Sequence, residues 1–187
     1  MDTDDPRLDP IRAACRKGSI AAVVSGSIHD GDGRTISALV VGRDGETLAR
    51  YDKQHIDEDE RDLFRPGREG CAFELDGWRL ALGICYDATF PEHARAAARG
   101  GAHAYLCPSS HTERSVVHDA RARENTMYVV LSNHLGEADG RHLCGHSSIY
   151  GPMGDLLADA GPSDEGLAVA DFDPQALAGL LAREQTG

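Results

Sequence analysis

No stretch of this 187-residue chain approaches the ~20 consecutive apolar residues that span a bilayer. The opening MDTDDPRLDP has neither the basic start nor the apolar run of a secretory signal. The five cysteines (Cys15, Cys71, Cys85, Cys107, Cys144) are odd in number and scattered, with no CxxC pair. That pattern argues against a disulfide scaffold or a zinc ribbon. Positive charge is scarce, with 19 basic side chains against 31 acidic ones and a formal net charge of −12. Such a surface repels phosphate backbones and anionic lipid, which excludes nucleic acid and membrane as partners. Internal repeats and low-complexity linkers are also missing. These absences point to a cytoplasmic protein with free thiols. The 41% hydrophobic and 27% charged residues are ordinary for a globular chain, and the length suits one domain over residues 1–187.

Hydrophobic periodicity and turn residues predict alternating elements. Residues 8–17 suit a short helix closed by Gly18. Residues 20–28 form an apolar run expected to be a buried strand. Residues 36–53 suit a hairpin turning at Asp44-Gly45, and residues 71–85 a second one turning at Asp76-Gly77. In its second strand Trp78, Leu80, Leu82 and Ile84 share one face. Arg79, Ala81, Gly83 and Cys85 share the other, whose small residues are expected to leave room around Cys85 at the strand's end. Pro91 suits the first turn of a helix that Gly100 and Gly101 stop. A strand over 102–110, a helix over 112–125, a strand over 126–134 and a hairpin around 152–154 follow. A last strand over 166–172 and a helix opened by Pro174 complete the chain. Alternating strands and helices with inserted hairpins predict a layered α/β domain with a mixed sheet.

Chemistry concentrates in Gly83-Ile84-Cys85-Tyr86-Asp87-Ala88-Thr89-Phe90-Pro91-Glu92. This segment sets a thiol between a buried strand and a helix start, where unpaired N–H groups favour an anion, and a thiolate is the attacking form. From these local features alone, a core cysteine is the simpler reading. The wider sequence adds a resemblance. G-I-C-Y-D-x-x-F-P-E resembles the nucleophile region of the carbon–nitrogen hydrolase (nitrilase/amidase) superfamily. Tyr51-Asp52-Lys53-Gln54-His55-Ile56 resembles its lysine segment, and Glu60 through Phe64, Pro66 and Gly67 its E-x-x-x-F-x-P-G stretch. Arg121-Ala122-Arg123-Glu124-Asn125 with Tyr128-Val129-Val130, and Gly145-His146-Ser147-Ser148-Ile149 with Pro152 and Gly154, follow in the family's order.

The resemblance implies a four-layer α-β-β-α sandwich of the nitrilase type. It also implies hydrolysis of a non-peptide C–N bond in a small-molecule amide or carbamoyl substrate, through a cysteine thioester. Cys85 would be the nucleophile. Lys53 and the backbone N–H of Tyr86 would stabilise the oxyanion, and Glu60 would support Lys53. Family members usually pair, so a homo-oligomer is expected, and no metal or organic cofactor is implied. The family's first catalytic glutamate precedes its lysine on an early strand. No glutamate precedes Glu46 here, and Glu46 sits in a D-G-E turn. The chain is therefore expected to be N-terminally truncated, lacking the first strand–helix units. The alternative function is that of a catalytically inactive binding or interaction protein.

Other constellations compete less well. Gly145-His146-Ser147-Ser148-Ile149 lacks the final glycine of a serine-hydrolase elbow. His142, Cys144 and His146 fit no zinc spacing. His111 and His118 are candidate partners for Cys85 in a Cys–His pair, but Lys53 accounts for more residues. Gly26, Gly31 and Gly33 lack the fingerprint of a phosphate loop.

Overall fold

The computed structural model describes residues 2–31, 33–138 and 140–184. It divides into two compact units, residues 1–73 and 74–187. The first is built on an antiparallel sheet in the order β1–β2–β3, with β1 (Ala22–Asp30), β2 (Gly33–Val41) and β3 (Thr47–Asp52). Register places Ala22 opposite Val41 and Ser37 opposite Asp52. The expected turn between β2 and β3 is closed by the Gly42 N–H on Glu46 O at 2.8 Å. Helix α1 (Asp9–Gly18) is also as expected, except that Ser19, at φ 51°, takes the left-handed cap in place of Gly18. Leu8 and Ile11 pack with Val24, Ile28 and Leu39 to make this unit's core. The Arg12 guanidinium donates to Gly45 O at 2.6 Å and so ties the helix to the β2–β3 turn.

The chain passes from the first unit to the second within β4 (Cys71–Leu75). Strands β5 (Trp78–Leu82), β6 (Ala104–Ser109) and β7 (Tyr128–Asn133) run parallel. With β10 (Ser148–Tyr150), antiparallel to β7, and β11 (Leu156–Asp159), antiparallel to β10, they make a mixed sheet of order β11–β10–β7–β6–β5–β4. Asp76 (φ 53°) and Gly77 (φ 79°) both occupy the left-handed region, as a two-residue I′ hairpin turn requires. Helices α2 (Pro91–Arg99) and α3 (His118–Asn125) form the crossovers. Their alanines pack with Ala81, Tyr105, Cys107, Met127 and Val129. Elsewhere in this unit Trp78 meets Tyr128 and Phe172 edge-on, while Tyr128 and Phe172 stack at 4.0 Å. The Tyr128 hydroxyl accepts the Asp173 N–H at 2.9 Å, just before α4 (Pro174–Glu184).

Four expectations need correction. β5 ends at Leu82, and Cys85 opens a separate 3-10 turn, Cys85–Thr89. The small-residue face of β5 is filled rather than open: Ala81 is buried in the alanine cluster, and a Cβ on Gly83 would lie 1.7 Å from the Tyr105 hydroxyl. Helix α3 starts at His118, six residues late, because Val116 is 81% exposed and has no apolar surface to cover. Residues 166–172 form no strand; Leu167 and Val169 face solvent at 90% and 77% exposure. A two-stranded sheet of β8 (Leu135–Ala138) and β9 (Arg141–Cys144) was not foreseen. The α/β class and the mixed sheet are as expected.

Candidate active site

Each unit carries one part of the expected chemistry. In the first, Lys53 follows directly on β3 and is almost wholly buried, at 1% exposure. Its backbone is fixed on both sides, the N–H on Ile36 O and the carbonyl under the Gly67 N–H, each at 2.8 Å. The glycine of the Pro66-Gly67 pair has a physical reason here. A Cβ at that position would lie 2.1 Å from Asp52 O, so only glycine lies flush on the strand end.

The Lys53 ammonium finds its partner seven residues on. Its Nζ donates to Glu60 Oε2 at 2.5 Å. Glu60 closes the 3-10 turn Glu58–Glu60, where the same oxygen accepts the Asp57 N–H at 3.0 Å in a capping box. The acidic run from Asp57 to Asp62 is therefore more than a solvated face, because one of its carboxylates is aimed inward. A buried ammonium without such a counter-charge would be strongly destabilising. The expected pairing of Lys53 with Glu60 is present.

In the second unit Cys85 sits where β5 gives way to the 3-10 turn, at the C-terminal end of a parallel strand. That is the edge at which open α/β sheets place their ligands. Cys85 has φ 47°, a left-handed conformation that L-residues seldom adopt outside constrained sites. The turn is fastened at its start by reciprocal bonds. Asp87, fully buried, accepts the Ile84 N–H on Oδ2 at 2.9 Å, and its own N–H donates to Ile84 O at 3.0 Å. Thr89 Oγ1 donates to Tyr86 O at 2.7 Å. Beneath it, the Tyr105 hydroxyl meets His93 Nδ1 at 2.9 Å.

All five cysteines are free thiols. Cys85 and Tyr86 are half-buried, whereas Cys15 and Cys107 are sealed. Burial pushes the Cys107 thiol up to about 12, despite a Ser109 hydroxyl pulling the other way. Burial also raises the Cys71 thiol. At both positions burial disfavours the thiolate, the attacking form.

The competing residues have surroundings of their own. His111 and His118 face each other edge-on at 5.8 Å. Burial, with His111 close by, drives His118 down to about 3, so it is a neutral imidazole at physiological pH. Neither of its ring nitrogens has a hydrogen-bond partner among the described residues. His142 pairs with Glu137 at 2.8 Å, and His146 with Asp159 at 3.1 Å. The Asn133 amide donates to Cys144 Sγ at 3.4 Å and to Gly145 O at 2.6 Å. Ser147 Oγ accepts the Asn133 N–H and donates to its carbonyl, which ties down the hydroxyl an elbow would expose.

Sequence reasoning gave no role to Arg121, which is 5% exposed. Its Nε donates to Ala88 O at 2.8 Å and its Nη2 to Thr89 O at 3.3 Å, the last two residues of the Cys85 turn. The placing of Arg121, Glu124 and Asn125 within one motif was the available signal, and Nη1 of Arg121 does donate to Glu124 Oε2 at 2.6 Å.

Comparison with known proteins places this arrangement. The carbon–nitrogen hydrolase family model matches residues 2–180. A hydrolase encoded in the pqqF 5′ region of Pseudomonas protegens is 34% identical over 180 residues, covering 92% of this chain and 63% of its own. A nitrilase from Pyrococcus abyssi is 34% identical over 157 residues, covering 81% and 59%. The chain thus spans about three fifths of the length of these curated relatives. A solved amidase from Nesterenkonia sp. is 31% identical with a TM-score of 0.82, covering 95% of this chain and 72% of that one. One mutant of that amidase was solved with butyramide, and another shows acrylamide added to its active-site cysteine. Among the described residues no helix is long and apolar enough to cross a membrane.

Proposed function

The chain belongs to the carbon–nitrogen hydrolase family, and we propose that it cleaves the amide or carbamoyl C–N bond of a small molecule through a thioester on Cys85. The observation that carries this reading is the backbone of Cys85. A half-buried thiol held at φ 47° on a tight turn at the end of a parallel strand suits a nucleophile better than a packing residue.

In the proposed reaction the Cys85 thiolate forms a bond to the carbonyl carbon, and charge moves onto the carbonyl oxygen. The Lys53 ammonium and the Tyr86 N–H stabilise that oxyanion, while Glu60 orients Lys53. The C–N bond then breaks, and nitrogen leaves as ammonia or an amine after gaining a proton. Water attacks the thioester, the acid departs, and the thiol recovers its proton. Support for the role of Lys53 comes from its burial beside the Glu60 carboxylate, since burying a lysine for packing alone is costly. Short aliphatic amides are the first substrates to try, because the Nesterenkonia amidase was solved with butyramide.

Ammonia release from butyramide and from a carbamoylated amine tests the proposal. The native chain should release ammonia. Cys85→Ala should abolish release, and Lys53→Met should lower it by about 10²–10³-fold, the usual loss for one oxyanion donor. Release that survives in Cys85→Ala refutes the mechanism. A silent native chain favours the non-catalytic binding protein.

A further inference from the structure

We infer that Arg121 is a positioning residue for Cys85: its guanidinium holds the C-terminal end of the nucleophile turn, and through it the direction of the thiol and of the Tyr86 N–H. This rests on reading Cys85 as the nucleophile.

The final carbonyls of a helical turn have no donors within the turn, and a five-residue 3-10 segment has poorer hydrogen-bond geometry than an α-helix. Ala88 and Thr89 end the turn that Cys85 begins. Both of their carbonyls are taken by one side chain arriving from α3, 32 to 33 residues later, through Arg121 Nε at 2.8 Å and Nη2 at 3.3 Å. At the other end of the turn the Asp87–Ile84 pair fixes the entry. Cys85 lies between these two fastenings. A left-handed non-glycine residue persists only where its surroundings over-determine it; here the surroundings are Asp87 on one side and Arg121 on the other.

Arginine is the residue this task requires. The planar fork serves two carbonyls and, through Nη1, the Glu124 carboxylate at 2.6 Å. A lysine has one nitrogen and cannot span the same set. Glu124 is the lesser partner, since its side chain is 44% exposed and exposed ion pairs contribute little. Asn125 completes the motif by donating to Arg121 O at 2.9 Å, which braces the helix backbone from which the arginine extends. The R-A-x-E-N spacing thus corresponds to one arginine that serves a turn far away in the sequence, a helix brace for it, and an exposed carboxylate alongside.

The test compares native chain, Arg121→Lys, Arg121→Gln and Glu124→Gln. The first readout needs no substrate: the rate and pH profile of iodoacetamide alkylation at each cysteine, read by peptide mass spectrometry. Cys85 should react about tenfold or more slowly in both Arg121 variants, with a shifted pH profile, since small misplacements of a reacting group carry large rate penalties. Cys71 and Cys144 should keep their native rates, and Glu124→Gln should stay within about threefold of native. The second readout is amide hydrolysis, where kcat should fall in the Arg121 variants with KM little changed. Native-like Cys85 alkylation in folded Arg121→Lys overturns the inference. So does a rise in KM at constant kcat, which would mark a substrate contact. Failure of both Arg121 variants to fold also overturns it, since the arginine would then hold the unit rather than the turn. A native chain that hydrolyses no amide defeats the proposed function but leaves the alkylation comparison intact.

Discussion

Cys85 is held at φ 47°, a conformation that costs an L-residue about 1–2 kcal/mol against the right-handed alternative. Glycine adopts it almost freely, but at ordinary positions glycine is the less stable choice than alanine by about 0.5–1 kcal/mol, through the entropy of the unfolded chain. The two effects oppose each other in Cys85→Gly against Cys85→Ala. Taking the middle of each range, strain of about 1.5 kcal/mol exceeds entropy of about 0.75 kcal/mol. The glycine variant should therefore be the more stable by about 0.5–1 kcal/mol, the reverse of the usual order. Valine sharpens the comparison, because a β-branched residue at positive φ is a true outlier, and Cys85→Val should lie about 1 kcal/mol or more below alanine. Urea unfolding followed by the single tryptophan is a suitable assay. Trp78 lies in the same unit as Cys85, packed edge-on against His103, Tyr128 and Phe172, and should change its emission on unfolding. Midpoints should rank glycine, alanine, valine at equal slopes. An alanine variant as stable as glycine, or a tolerated valine, would show that the turn is unstrained and remove the observation on which the nucleophile assignment rests.

Two further outcomes follow from the same geometry. Gly83→Ala forces a methyl to within 1.7 Å of the Tyr105 hydroxyl and 2.3 Å of its ring. It should cost about 3 kcal/mol, a fall of roughly 6–12 °C in Tm by calorimetry. Because the ring carbon remains in the way, Gly83→Ala with Tyr105→Phe should recover only part of that loss; full recovery would place the clash elsewhere. His118, ordinarily near 6.5, titrates near 3 in the folded chain because burial disfavours its cation. Between those values the unfolded state binds more protons, so stability falls as pH drops below 6.5, by about 1.4 kcal/mol per unit for this group. His118→Leu should flatten the slope of stability against pH between 6 and 4, and equal slopes in the two proteins would contradict the burial argument.

Some of this was legible in the sequence because the signals are local. Asp76-Gly77 dictates a turn through its own backbone preferences, and Pro91 opens α2 for the same reason. Elements that depend on distant packing were not. Residues 112–117 carry helical spacing, but Val116 finds no apolar surface, so α3 begins only at His118. Residues 166–172 alternate like a strand, yet they pair with no strand, and Phe172 instead stacks on Tyr128. β8 and β9 are polar and short, so their Asp139-Gly140 turn signal lacks the alternating apolar flanks that marked the other two hairpins. The site divides in the same way. Cys85, Lys53 and Glu60 were found by resemblance to a family, and the inward aim of Glu60 rests on a capping box that spacing alone only hints at. The work of Arg121 was invisible, since its partners are backbone carbonyls that carry no side-chain signature.

The central claim is that an acyl group is carried on one sulfur, and it can be weighed directly. Mixing the native chain with a short aliphatic amide, quenching in acid within the first turnovers and mapping peptides by mass should find the acyl increment on the peptide holding Cys85. Ammonia release should match that increment in the first turnover and exceed it afterwards, because each hydrolysed thioester frees the sulfur for another amide. An acyl group on any other cysteine, or ammonia released with no acylated peptide in quenched samples and undiminished in Cys85→Ala, would contradict it.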